Sequence, residues 1–354
     1  MSDTSNSDLT SGLKHETRLL ITIPLKPLQG DRFQPTGFPS LGAATYQTKD
    51  GTKLLVESAQ SMANRLEMTI WDQAKNEPIS EVSGISHVTV KRGKETSSRF
   101  LTDSILEAHR INSPYLLECS DKAFFNTIKG ELGGLAEGPI DRKKLADVLL
   151  KYDVGSLIHG VFLAKKDLAG GRLRLARALS ATIEASGASV AASGGVKNDH
   201  VNPSGDAKAG FGNVPFSRDE FVAEKIELFV NLDLAQIRGY GLGEKVEQLL
   251  INLALFKVRK LIDGDLRLRT ACDLEPESRK IAAARPKAFV LPSLESLTQA
   301  LTNLLADESV KKLMVHTTVN FDDDLKKAKE TVESADENGQ EATESDEDTE
   351  NIDS

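Results

Sequence analysis

Residues 18–38 read RLLITIPLKPLQGDRFQPTGF, and the chain is organised around the change of character inside that stretch. Residues 18–25 are rich in Leu and Ile and read as a buried strand that ends at Pro24 or Pro27. Residues 26–38 then hold two cations (Lys26, Arg32), two amides (Gln29, Gln34), two glycines (Gly30, Gly37), two prolines (Pro27, Pro35) and two phenylalanines (Phe33, Phe38). Glycine lets a backbone approach a ligand closely, and proline stiffens a loop by fixing φ. Arg, Gln and Phe together suit gripping a phosphate and stacking on a base. The same composition also fits a plain surface loop whose phenylalanines plug the core.

The whole chain has 354 residues, 39% hydrophobic and 27% charged, enough to bury a sizeable core. Its net charge of −9 is unevenly placed. From Phe321 onward there are fourteen acidic residues and three lysines, which leaves 41 basic against 39 acidic residues in 1–320. The body is near neutral, so a nucleic-acid site there needs clustered cations. Cys119 and Cys272 lie far apart without a partner motif, the pattern of reduced thiols. Residues 1–16 are polar and 321–354 are acidic and aromatic-poor, and both are expected to be disordered around a single domain, 17–320. With no apolar leader and no run of membrane-spanning length, a cytoplasmic protein without membrane contact is expected.

Further along, residues 57–67 (ESAQSMANRLE) place Ala59, Met62, Ala63 and Leu66 at helical spacing, with Ser61, Asn64 and Arg65 on another face. Residues 86–91 alternate and 96–100 return as a hairpin partner, with Lys91, Arg92 and Lys94 near the tip. Residues 101–109 and 141–152 read as helices, the second starting at Asp141. Residues 154–163 (VGSLIHGVFL) read as a central strand. The densest basic stretch follows, with Lys165, Lys166, Arg172, Arg174 and Arg177. Leu173 and Leu175 alternate with two of these, so a strand would put Arg172 and Arg174 on one face as a phosphate track, though a basic surface loop fits as well. Residues 186–215, rich in Gly, Ala, Ser and Asn, read as a long functional or disordered loop. Strands are expected at 224–234 and 266–271, the latter with Arg267 and Arg269 on one side, and a helix with a broad apolar face at 244–263.

Several chemistries find no support. The run Gly239-Tyr240-Gly241-Leu242-Gly243-Glu244 lacks the third glycine of a dinucleotide fingerprint. Residues 238–241 match the first half of an RNA-recognition signature and depart from it at Leu242. The six histidines show no metal spacing, and His159, inside an apolar run, reads as a core residue. There is no phosphate-binding P-loop and no nucleophile elbow, so neither a cofactor, a metal nor catalysis is expected.

Taken in order, RLLITIPLKPLQGDRFQPTGFPSLGAATY, LLVESAQSMANRLE, SLIHGVFLAKKDLAGGRLRLARALSATIEASG and EKIELFVNLDLAQIRGYG resemble the backbone subunit of type I-G (formerly I-U) CRISPR surveillance complexes, a branch of the seventh Cas protein family. The resemblance runs from about Arg18 to about Val315. It implies an α+β fold, a modified RNA-recognition-motif or ferredoxin-like palm with an antiparallel sheet, helices, and finger and thumb insertions, for which 85–100 and 186–215 are the candidates. It also implies a non-catalytic subunit that polymerises head to tail along a CRISPR RNA, gripping the ribose-phosphate backbone while guide–target pairing reads sequence. The implied partners are the CRISPR RNA, the target DNA strand paired to it, further copies of the chain, the other Cascade subunits (a large subunit and a guide-processing subunit that binds the 5′ handle) and a recruited helicase-nuclease.

On the matching segments, Lys26, Arg32 and Gln34 are the expected phosphate contacts, with Phe33 stacking or wedging. Ser61, Asn64 and Arg65 are expected to present a polar helix face to the guide. Lys165, Lys166, Arg172 and Arg174 extend the positive track. Lys91, Arg92 and residues 186–215 are expected in the thumb or finger that separates bases and touches the next subunit. A reading of a different class, a metal-dependent RNA nuclease with Asp31 as its carboxylate, stays open, although Asp31 is as readily an ion-pair partner of Arg32.

Overall fold

The computed structural model describes residues 9–38, 42–93, 98–135, 138–198, 200–205 and 211–323. β1 (Arg18–Pro27) alternates in burial, and Leu19, Ile21, Ile23 and Leu25 are each at most 3% exposed. β2 (Gly51–Glu57) leads into α1 (Ala59–Met68), whose Ser58 cap accepts the Ser61 N–H at 3.3 Å and whose Met62, Ala63 and Leu66 are buried. β3 (His87–Arg92) and β4 (Arg99–Asp103) form the expected hairpin, with its tip, 94–97, outside the described residues. α2 (Ala123–Glu131) precedes α3 (Arg142–Tyr152), where the Asp141 carboxylate accepts the Lys144 N–H at 3.0 Å, the helix start that the sequence announces. Next come α4 (Val154–His159), β5 (Val161–Leu163), β6 (Leu173–Leu175) and β7 (Leu179–Ser186). β8 (Ser189–Lys197) and β9 (Val214–Val222) pair as a ribbon before β10 (Lys225–Asp233), α5 (Leu234–Gly239) and α6 (Glu244–Asp263). The chain continues through β11 (Leu266–Arg269), β12 (Cys272–Pro276), α7 (Leu294–Ala306) and β13 (His316–Asn320).

The main sheet runs β11–β12–β1–β10–β7–β2, antiparallel at every junction, with the short strand Thr45–Thr48 beyond β2. Within it β12–β1–β10–β7 are the fourth, first, third and second strands of a βαββαβ unit, with α1 in its first connection and α6 in its second. That is the ferredoxin-like arrangement, and the fold class is α+β. The two helices touch one another and close the core over the Leu and Ile face of β1. β13 builds a second sheet by pairing in parallel with β3, from His316 opposite His87 to Asn320 opposite Lys91.

Four segments depart from the sequence reading. Residues 154–163 are not one strand but α4, a sharp turn and β5. Every residue of α4 is buried, so no face alternates with water and the apolar run carries no period. The turn is made at Gly160, whose φ of 77° excludes most side chains and where a Cβ would lie 2.7 Å from the Leu175 carbonyl oxygen. Residues 101–109 are not a helix, because 99–103 are claimed by pairing with β3. Residues 186–215 are not one loop: 189–197 form β8 and 214–215 open β9, and the two strands pair from Ser189 opposite Val222 to Lys197 opposite Val214. The small residues of β8 gave no alternation because that strand buries neither face well. Finally, Ser11–Leu13 forms a 3₁₀ turn with Leu13 fully buried, so order begins inside the segment expected to be disordered.

Candidate nucleic-acid interface

The loop after β1 is pinned at several points by its backbone. Leu28 N–H donates to Asp273 O at 2.8 Å, Gln34 N–H to Ala271 O at 2.8 Å and Thr36 N–H to Val56 O at 3.0 Å. Phe33 and Phe221 exchange both main-chain hydrogen bonds, at 2.9 and 2.8 Å, which ties the loop to the base of the β8–β9 ribbon. The Phe33 side chain is 1% exposed. It therefore plugs the core and offers no ring face to a base, which corrects the stacking or wedging role. Arg32 keeps 60% of its side chain exposed, 4.0 Å from the largely buried Glu220. Lys26 is also exposed and pairs with Glu275 at 3.1 Å.

Behind this loop lies a buried carboxylate that the sequence reading took for the start of a helix. Glu57 ends β2 with no exposed surface. Its Oε1 accepts from Arg65 Nε at 2.7 Å and from the Ser61 hydroxyl, and its Oε2 pairs with Arg269. Arg65 also donates to the carbonyls of Arg267, at 3.2 Å, and Leu268. Arg269 Nη1 donates to the carbonyls of Gln34 and Val56, at 2.9 and 3.0 Å. Burial lowers the pKa of both guanidiniums. The structure thus brings the Gln34 carbonyl, Ser61 and Arg65 together, but Ser61 and Arg65 are turned onto Glu57, and of the three α1 candidates Asn64 is the one left exposed. The alternation of Arg267 and Arg269 was the one signal of this cluster. A register shift at the β11–β12 pairing separates them, with Arg267 78% and Arg269 24% exposed.

α1 is fixed from its far end by a second buried ion pair. Arg110 donates to both Glu67 oxygens, at 2.9 and 2.7 Å. Nearby, Lys257 Nζ lies 3.0 Å from His159 Nε2. Burial and the Lys257 charge hold the His159 pKa well below its usual value, and burial brings Lys257 down to about 8. His159 is the core residue that the sequence suggested, though on a helix and not a strand.

The remaining basic candidates fall around the α2 end of the molecule. Lys165 pairs with Glu118 at 3.3 Å, and Lys166 is exposed. Arg172 caps a 3₁₀ turn in a helical conformation, and its Nη2 donates to the Leu135 and Gly138 carbonyls at 3.0 Å each. Arg174 alone lies in β6, exposed, so the two arginines do not share a strand face. Lys91 and Arg92 end β3, half-buried, directly below the hairpin tip. Tyr240, in the half-match to an RNA-recognition signature, is buried and donates its hydroxyl to the Leu157 carbonyl at 2.8 Å, so it offers no stacking face. Among the described residues no three His, Cys, Asp or Glu side chains gather so as to hold a metal, and no helix is long and apolar enough to cross a membrane.

No curated protein matches this chain. Among solved structures, a chain of "CRISPR RNA-guided surveillance complex, pre-nicking" is 11% identical at a TM-score of 0.35, over 90% of this chain and 98% of that one. The crystal structure of Csc2 from Thermofilum pendens is 9% identical at a TM-score of 0.33, over 94% of this chain and 80% of that one. The sequence itself is similar to one family across the first two strands of the βαββαβ unit, β1 and β7, with α1 and the basic stretch between them: residues 19–190 match the family model of the CRISPR-associated protein GSU0053.

Proposed function

We propose that this chain is a non-catalytic backbone subunit of a type I-G CRISPR effector, binding guide RNA through its ribose-phosphate chain. The observation that carries this reading is the match of residues 19–190 to a CRISPR-associated family, because that span contains nearly all of the exposed cations discussed above. Lys26, Arg32, Lys166 and Arg174 are the side chains best placed to take phosphates, with Gln34, Asn64, Lys91, Arg92, Lys165 and Arg172 beside them. Ser61, Arg65 and Phe33 act behind them, holding α1 and the loop. Copies of the chain associate head to tail along one guide, with the β3–β4 hairpin and the β8–β9 ribbon reaching the neighbour and the heteroduplex. Target DNA is read by pairing with the guide, and cleavage is left to a recruited helicase-nuclease.

Expressing the chain with a CRISPR array and its neighbouring subunits, then sequencing the RNA that co-purifies, tests this. A uniform population of repeat–spacer RNA is expected. Heterogeneous cellular RNA would mark a general single-strand binder instead. Incubation with guide, matched RNA and magnesium addresses the nuclease reading: fragments lost in Asp31→Ala would overturn the non-catalytic role.

A further inference from the structure

The last described residues are tied down at one place. Phe321 N–H donates to Lys91 O at 2.8 Å, and its ring meets Tyr115 edge-on with centroids 5.0 Å apart. The Asp322 carboxylate accepts the Gly93 N–H at 2.8 Å, and that of Asp323 accepts the Ser120 N–H at 2.7 Å. Residue 323, the last described, therefore sits between the base of the β3–β4 hairpin and the start of α2. Three lysine ammoniums meet there around one ring: Lys165, Lys122 and Lys129 lie 5.5, 5.9 and 6.0 Å from the Phe125 centroid. Lys166 follows Lys165, exposed.

Their acidic neighbours compensate them loosely. Glu118 pairs with Lys165 at 3.3 Å and Asp167 with Lys129 at 3.6 Å, but both carboxylates are more than 60% exposed. Asp121 is turned onto the Ala123 N–H at 2.9 Å. Surface pairs of this kind are worth about 0–1 kcal/mol each, so a polyanion can exchange into them at little cost. The sequence supplies such a polyanion next door: from residue 330 to 354 there are eleven carboxylates and neither Lys nor Arg. The seven residues from 323 to 330 span up to about 23 Å, more than the ~13 Å length of α2. Tethering at that range gives an effective concentration of order millimolar, enough for several weak contacts to act together.

We propose that the acidic segment 330–354 lies back over the lysine cluster around Phe125 and competes there with nucleic-acid phosphates. The docking stands on the contacts above, and the competition rests on the nucleic-acid reading of the chain. A guide held by many subunits displaces the segment readily, whereas a stray single strand must displace it with few contacts and so binds more weakly, and the segment raises discrimination without reading any base.

Zero-length carbodiimide coupling of the full chain at about 0.1 M salt, read by mass spectrometry, tests the docking. Carboxylates of 330–353 are expected to join Lys122, Lys129 and Lys166, and to lose those links at about 1 M salt, where the Debye length is ~3 Å. Links spread equally to lysines outside the cluster, such as Lys280 and Lys287, would overturn it. A full-length variant with every Glu to Gln and every Asp to Asn across 330–353 should bind a uridine 30-mer about threefold or more tightly at low salt. Equal binding would overturn the competition, as would links whose yield is unchanged when that RNA is bound. If neither protein binds RNA, the functional reading fails and the cross-links alone decide the docking.

Discussion

Arg32 and Arg65 are both guanidiniums near the loop after β1, but Arg32 is 60% exposed with its carboxylate 4.0 Å away, whereas Arg65 lies 2.7 Å from a fully buried one. The long pairing of Arg32 with Glu220 contributes at most about 1 kcal/mol. Arg32→Ala should therefore leave the urea midpoint nearly unchanged, weaken guide binding uniformly across sequences and shallow the salt dependence by about one phosphate's worth. Arg65→Ala removes one of the cations around Glu57, which has no exposed surface. The expected outcome is a loss of about 3 kcal/mol in urea unfolding, since a buried charge left short of partners is strongly destabilising. Residue types were legible in the sequence, and their partners were not. Arg65 faces a carboxylate eight positions away and carbonyls more than 200 positions away, and a helical wheel shows neither. Phe33 had two readings on composition, and its 1% exposure decides for the core.

At the scale of elements, β13 is a strap held by a directed chain of hydrogen bonds. The Asp103 carboxylate can only accept, so the Thr89 hydroxyl and His87 Nδ1–H both donate to its Oδ2, each at 2.8 Å. Thr89 Oγ1 then accepts from His316 Nε2–H at 2.9 Å, with the two imidazoles stacked 4.3 Å apart. Burial, with His87 and Lys91 adding to it and Asp103 opposing, lowers the His316 pKa from 6.5. An unfolded strap binds the proton more readily than a folded one, so the contribution of His316 is full above about pH 6.5 and is lost as pH falls through the lower folded value. Hydrogen-exchange protection of Thr317 and Val319 should drop as pH falls below about 6.5, and His316→Gln should flatten that drop. Elements with one wet face (β1, α3) were legible because burial alternates along them, and α6, buried without a break from Leu249 to Arg259, was legible by its length and apolar content. α4, wholly buried, and β8, mostly exposed, lacked the contrast that makes a period visible.

For the molecule as a whole, the strand order carries a prediction about assembly. β8 and β9 continue β7 and β10 beyond the sheet edge, and the ribbon exposes Val190 and Val196, 57% and 54%. Val190→Ser together with Val196→Ser should leave thermal unfolding within about 2 °C, because exposed positions contribute little to the core. The same pair should lower the mass of guide-dependent assemblies in light scattering, and an unchanged mass would remove the ribbon from the subunit contact. The central sheet was reachable from sequence because its strands at 18–25 and 224–234 are long and apolar. The second sheet was not, since parallel pairing of β13 with β3 leaves no local signature.

That parallel pairing also sets a clock. Thr89 waits for a partner 227 positions later in the chain. At about 5–20 residues per second, synthesis needs roughly 11–45 s to deliver it. Until then the hairpin that carries Lys91 and Arg92 has an open edge on the ribosome, and the corner where 320–323 attach does not exist. The central sheet is complete only once β12 (Cys272–Pro276) is made, and β13 follows forty residues later, so the second sheet is the last part of the fold that can close.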